Sequence, residues 1–257
     1  MDKERLIIFL EDLRKRLVII TVLIFVFAVI SFAFGDQIRQ VLMRPGNMAF
    51  QNLENNGAGL QLIFLTPSEA LLANLKLAFI TSATITLPII LYQIVALAMT
   101  AANMNKRFAF LLTLIMYILF ILGISFAYFV VLPFALNFFI GFSAADLVPN
   151  FSIARYISFA VSFIFSFGLV FQLPILFWFL GTIGLVDTAF LRRNRKFALL
   201  IIIIFAAILT PPDIFSQVLM AIPLMILYEL GIFMVYLARR NKKESAPLEE
   251  QSEERLS

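Results

Sequence analysis

The sequence predicts an all-α, polytopic transmembrane bundle of six spans with both termini on the cytoplasmic side. Three observations carry that expectation: composition, the lengths of the apolar runs, and the alternation of positive charge between them. Apolar residues make up 62 % of the 257 residues and charged ones 14 %, with a mean hydropathy of +0.98. A soluble domain is closer to half apolar and a quarter charged, so this much apolar surface needs lipid as its solvent. Inside a bilayer the backbone must satisfy its own polar groups, and each long apolar run is therefore read as a helix.

The runs are taken in order. The first extends over about 17–34, the second over 69–99, the third over 108–132 and the fourth over 156–180. Each has the roughly 20 residues that a span requires. The fifth, Phe197 to Thr210, is short, reaching only about 21 Å as a helix. The sixth covers about 215–237 after the tight Pro211-Pro212-Asp213 link. Spans five and six are expected to form a short hairpin. Pro88, Pro174 and Pro223 fall within spans, where each removes a hydrogen bond and bends the rod. A bundle of bent helices with two short members is expected to be concave rather than a closed cylinder.

Positive charge checks the segmentation. Lys3, Arg5, Arg14, Lys15 and Arg16 precede the first span, and Lys106 and Arg107 separate the second from the third. Arg192, Arg193, Arg195 and Lys196 separate the fourth from the fifth, and Arg239, Arg240, Lys242, Lys243 and Arg255 follow the sixth. Those sixteen stand against three, Arg39, Arg44 and Arg155, in the other connections; Lys76 lies inside the second run. The positive-inside rule then puts both termini in the cytoplasm. The first run is of span length, which argues against a cleaved signal peptide. Residues 1–240 are expected to form the membrane domain, and 241–257 a charged, disordered cytoplasmic tail.

Histidine and cysteine are absent. That removes Cys/His metal sites and the familiar Ser-His-Asp and Cys-His nucleophile systems. No metal, cofactor, nucleic acid or enzymatic activity is expected. Outside the spans, Thr66-Pro67-Ser68-Glu69 reads as a helix start, with Thr66 or Ser68 as cap. Gln61 to Leu65 reads as extended or interfacial, and Pro133 onward as an interfacial helix.

A few polar residues sit where they are unfavourable. For Lys76 the readings are a bundle-facing charge or snorkelling to the outer surface. For Gln172 they are a cavity residue or an interhelical hydrogen bond. Glu229 lies near the depth of Gln172, so the two are candidates for one polar cavity. Asp213 either caps the sixth span or acts at the outer surface. In the N-terminal segment, Glu11 and Asp12 are interleaved with basic residues. They are candidate acceptors for a basic ligand, or partners in Glu11–Lys15 and Asp12–Arg16 pairs at i,i+4.

Several motifs then coincide in order: Phe9-Leu-Glu-Asp-Leu-Arg-Lys-Arg-Leu17, Thr66-Pro-Ser-Glu69 with Lys76-Leu77, Pro88-Ile-Ile-Leu-Tyr-Gln93, and Phe126-Ala-Tyr-Phe-Val-Val-Leu-Pro133. Tyr156-Ile-Ser-Phe159, Phe167-Gly-Leu-Val-Phe-Gln-Leu-Pro174, Thr210-Pro-Pro-Asp-Ile-Phe-Ser-Gln217, Ala221-Ile-Pro223 and Tyr228-Glu-Leu-Gly231 follow. Across residues 5–240 the chain resembles the TatC family, the polytopic core of the twin-arginine protein translocase. The resemblance implies a cupped fold in a prokaryotic cytoplasmic (inner) membrane. It implies recognition of twin-arginine signal peptides of folded precursors at the cytoplasmic face, and export driven by the proton-motive force. The implied partners are single-span TatA-like and TatB-like proteins, with several copies of the chain in one hetero-complex.

Residue by residue, the family's acidic recognition position falls on Asp12, followed by Arg14. Its helix-four polar position falls on Gln172, its outer Pro-Asp motif on Asp213, and its helix-six positions on Gln217 and Glu229. The glutamate usual in the first cytoplasmic loop has no counterpart. Asn105 or Lys106 stands there, before Arg107, and 100–107 contains no carboxylate. Recognition through Glu11 and Asp12 is one consequence; substrates with an altered motif, or a loop that has lost a function, are the others. On physics alone, Lys76, Gln172 and Glu229 in a bent bundle also suit a proton- or ion-coupled small-molecule transporter, although no internal repeat supports it.

Overall fold

Apolar periodicity and chain breaks at glycine and proline divide the chain into helices. The structure, a computed structural model, describes residues 3–51, 61–63, 66–101, 106–141, 150–209 and 214–254. The chain divides into two compact units, Met1–Phe165 and Ser166–Ser257.

In the first unit, α1 (Lys3–Ala33) carries the N-terminal charges directly into the first apolar run, Leu10–Ala33. It lies along α3 (Pro67–Ala101), where the Ser82 hydroxyl donates to the Ile24 carbonyl at 2.5 Å. Between them comes α2 (Gly35–Gln51), a helix that the sequence reading did not anticipate. Pro45 lies inside it and hid it, since proline withholds an N–H and pushes against the carbonyl four residues back. That carbonyl is Val41 O, and the Tyr128 hydroxyl donates to it at 2.7 Å. The Tyr156 hydroxyl donates to the next one, Leu42 O, at 3.0 Å. Tyr128 thus supplies the donor that the proline removes, and Tyr156 fastens the next carbonyl to its own helix. Gly46 faces the Tyr156 hydroxyl so closely that a Cβ would lie 2.9 Å from it.

The third run is α4 (Lys106–Phe126), a π-helical turn at Ala127–Val131, and α5 (Leu132–Gly141). The wide turn lies immediately before Pro133, and Leu132 N reaches back to Ala127 O; such turns relieve a proline in mid-helix. The expected interfacial helix is therefore the continuation of this span, whose apolar stretch is Ala109–Phe138. Short strands β1 (Gln61–Ile63) and β2 (Asn150–Ser152) pair in parallel, which makes Gln61 to Ile63 extended. α6 (Ile153–Val170) follows β2. The core of this unit joins Leu42, Ala73, Leu77, Leu132, Leu136, Ile157 and Ala160, all nearly inaccessible, from α2, α3, α5 and α6.

The second unit holds the end of α6, then α7 (Leu173–Thr182), α8 (Thr188–Arg193), α9 (Arg195–Leu209) and α10 (Ile214–Glu254). α10 packs on α7, α8 and α9. Gly184, at φ 83°, ends the turn after α7 in the left-handed region that glycine favours. α9 has 15 residues, about 22 Å of helix. The last helix is not the short member expected: its apolar stretch Gln217–Arg240 has 24 residues. The helix also runs on to Glu254, through the charged stretch expected as a disordered tail. Ala238 to Ala246 is rich in Arg, Lys, Glu and Ala, which favour helix.

Five helical stretches among the described residues are long and apolar enough to cross a membrane: Leu10–Ala33, Ser68–Leu97, Ala109–Phe138, Ile153–Thr182 and Gln217–Arg240. Phe25, Phe110 and Phe129 are 66 %, 66 % and 73 % exposed. Water would penalise such surfaces; lipid does not. The fold is an all-α, multi-pass membrane bundle.

Candidate functional site

At the N-terminal end of the first unit, the motif Glu11 to Arg16 forms one and a half turns of α1. Asp12 and Arg16 lie one turn apart, so their side chains meet. Arg16 Nε donates to Asp12 Oδ2 at 2.9 Å. The other side of the same guanidinium crosses to α3, where Nη1 donates to Gln93 Oε1 at 2.5 Å and to Gln93 O at 3.4 Å. The fork shape of arginine makes this possible, since its N–H groups diverge from one plane. A chain Asp12–Arg16–Gln93 therefore joins the basic end of α1 to the last turns of α3, just ahead of the 2–3 loop. The Asp12 side chain is 48 % exposed and that of Arg16 22 %. Of the two i,i+4 pairs weighed from sequence, the Asp12–Arg16 pair forms. Glu11, Arg14 and Lys15 make no ion pair with a described residue; Glu11 is exposed. Gln93 was missed as a member of this group. Its place at the end of the motif Pro88 to Gln93 was the available signal.

Asn105 lies outside the described residues. Lys106 and Arg107 open α4, and their side chains lie outside the described set, as does Asp213.

Lys76 lies on the α3 face turned to α6. Its Nζ donates to the Ser158 hydroxyl at 2.5 Å, on the second turn of α6. Two turns before it on the same face, Glu69 accepts from the Ser152 hydroxyl. Ser152 also caps α6, its Oγ accepting from Arg155 N at 3.3 Å. At the start of α3, Thr66 holds the cap position and its carbonyl accepts from Glu69 N at 3.1 Å. Lys76 is thus one rung of a polar ladder between two helices, instead of a side chain reaching for the headgroups.

In the second unit, Gln172 stands at a break between α6 and α7. Pro174 follows as the second residue of α7. Gln172 N turns to Leu169 O at 3.0 Å, which takes the backbone donor away from Gly168 O. The Gln172 side-chain amide reaches that carbonyl instead, at 3.4 Å. The fourth span is accordingly two helices with Gln172 at their junction.

The motif Tyr228 to Gly231 works as a packing unit. The Tyr228 hydroxyl donates to Leu191 O at 2.9 Å, and its ring meets Phe177 edge-on with centroids 5.7 Å apart. Gly231 lets the Phe177 ring sit against the α10 backbone, where any Cβ would collide with it. The Glu229 carboxylate accepts from Arg195 Nη2 at 2.7 Å, and Asp187 pairs with Arg239 at 3.0 Å. Glu229 is therefore matched to a cation of the 4–5 connection. Gln217 Nε2 donates to Ile203 O at 2.9 Å, fastening α10 to α9.

Comparison with known proteins agrees across most of the chain. The family described as Sec-independent protein translocase protein (TatC) matches residues 8–223. The Sec-independent protein translocase protein TatC of Carboxydothermus hydrogenoformans is 38 % identical over 229 residues, covering 88 % of this chain and 90 % of that one. The TatC protein of Aquifex aeolicus is 36 % identical over 238 residues, 91 % and 96 % of the two chains. A crystal structure of the twin-arginine translocase receptor TatC superposes with a TM-score of 0.81 at 34 % identity, covering 90 % of this chain and 99 % of that one. A second, determined in DDM, gives 0.78 at the same identity.

Proposed function

The chain belongs to the TatC family of Sec-independent protein translocase proteins, and from that premise we propose how its geometry serves a twin-arginine receptor. It is the core receptor subunit of a twin-arginine translocase, a membrane transport component and not an enzyme. The observation that carries the reading is the likeness to a solved twin-arginine translocase receptor over nine-tenths of the chain. The small-molecule transporter reading gives way to that membership.

Signal-peptide arginines are bound at the cytoplasmic end of α1 and α3, with Asp12 as the charged acceptor. Asp12 is half exposed and held at a fixed place by Arg16 and Gln93. Glu11 is a second accessible carboxylate one residue away. Arg14 on α1, with Lys106 and Arg107 in the sequence that opens α4, contributes the positive charge that topology requires. Asn105, an acceptor without charge, or Lys106 stands where the resemblance puts a glutamate. α9 is the fifth of six crossings, short enough to call for local thinning of the bilayer, and both termini are cytoplasmic. TatA-like and TatB-like single-span helices, in a complex with several copies of this chain in the inner membrane, supply the cargo path. Lys76, Gln172, Gln217 and Glu229 act on partner helices by fixing the helices that carry them, and Asp213 belongs to the outer 5–6 turn.

Site-specific crosslinking in membranes tests the assignment. A photoreactive residue at Glu11 is expected to capture a twin-arginine precursor and to lose it when the arginine pair is changed to lysine. Capture that ignores this change would overturn the assignment. Asn105→Glu or Lys106→Glu is expected to strengthen precursor binding by restoring a carboxylate to the loop.

A further inference from the structure

The carboxylate assigned to the incoming arginine already holds one. Arg16 Nε lies 2.9 Å from Asp12 Oδ2, the charge-assisted contact that a guanidinium ligand would make there. Arg16 also has a second place to go, because Gln93 holds Nη1 through both its side-chain and main-chain oxygens. The two contacts use different nitrogens of one fork, so the first can break while the second holds.

We propose that Arg16 is a resident stand-in for the ligand's arginine, and that binding is an exchange in which the signal peptide takes Asp12 while Arg16 stays on Gln93. The inference rests on Asp12 being a recognition residue. The exposures favour the exchange: a ligand meets the Asp12 carboxylate, 48 % exposed, before the Arg16 fork, 22 % exposed. An exchange of this kind sets a threshold. A ligand must satisfy Asp12 better than Arg16 does, and a twin-lysine peptide, which offers point charges without a planar fork, gains less from displacing it. Gln93 is a positioning residue in this scheme. It keeps the released guanidinium paired at an apolar helix boundary, and it keeps α1 against α3 while the site is occupied.

The test is equilibrium binding of a synthetic twin-arginine signal peptide, with a twin-lysine peptide as control, to the full chain in nanodiscs. Arg16→Gln retains an amide able to reach Gln93 and removes the competitor for Asp12. It is expected to bind the twin-arginine peptide about three- to fivefold more tightly than the native chain, the scale of a partly exposed ion pair. Arg16→Met, which keeps the aliphatic stem, is expected to shift the same way and serves if Arg16→Gln does not accumulate. A double-mutant cycle separates exchange from scaffolding. If Arg16 competes for Asp12, Asp12→Asn weakens binding more in the Arg16→Gln background than in the native one. If Arg16 only braces the helices, Arg16→Gln weakens binding and Asp12→Asn adds little to it. That second pattern, or unchanged affinity in both Arg16 variants, overturns the exchange. A native chain that binds both peptides alike sinks the receptor site itself, which is a different failure.

Discussion

At the scale of single residues, several polar groups inside this apolar chain, Lys76 and the Val41 carbonyl among them, meet a partner that sequence left open. Pro45 strips a donor from Val41 O, and Tyr128 replaces it from another helix. Tyr128→Phe leaves that carbonyl unsatisfied, at about 1–3 kcal/mol. Thermal unfolding in detergent is expected to show a lower Tm, with the far-ultraviolet helix signal before melting unchanged. Glu229 is a contrasting case. Its pair with Arg195 is 42 % and 47 % exposed on the two sides, and such pairs contribute only about 0–1 kcal/mol. Glu229→Gln is therefore expected to leave Tm nearly unchanged, whereas Gly231→Ala, two residues on, drives a Cβ into the Phe177 ring. Overpacking of that kind costs about 1–3 kcal/mol, and the same melting experiment reads it. Residue types and the local pair Asp12–Arg16 were legible from sequence, and partners on other helices were not. Lys76 had two readings, and only the approach of α6 to α3 selects Ser158.

At the scale of elements, hydropathy located the five long apolar helices because lipid imposes one strong rule on every apolar run. It could not see their interruptions. Gln172 was read as lying inside a fourth span bent at Pro174, and the bend is in fact a break between α6 and α7 with the glutamine at the junction. α2 went unseen for a related reason: a proline and two glycines in a polar setting resemble a loop until tertiary donors reach them. The ladder between α3 and α6 gives a prediction at this scale. Lys76→Met removes the rung to Ser158 and leaves the Glu69–Ser152 rung in place. Hydrogen exchange is expected to rise in the first turns of α6 and to stay native in α9 and α10. Faster exchange throughout α9 and α10 would contradict a local role.

At the scale of the whole molecule, the proposed topology and the function rest on different signals. The alternation of sixteen cations against three is an average over loops and needs no structure. The receptor reading needed a set of motifs in order, and the family match over residues 8–223 agrees with it. The candidate site was half legible: Asp12 and its pairing with Arg16 were weighed from sequence, but the link from Arg16 to Gln93 depends on α1 lying along α3. The absence of cysteine makes topology directly measurable. Single cysteines at Asn194 and Ser252 are expected to react with an impermeant thiol reagent only in inverted membrane vesicles, and one at Ala145 only in intact spheroplasts. The central claim is that Asp12 receives the arginine of a signal peptide. The most direct measurement is the affinity of a twin-arginine peptide for the native chain and for Asp12→Asn in nanodiscs, against a twin-lysine peptide. The native chain is expected to prefer arginine clearly, by a margin that falls at least about tenfold in Asp12→Asn, the order of a charge-assisted hydrogen bond. An arginine preference that survives intact in Asp12→Asn would rule out Asp12 as the acceptor.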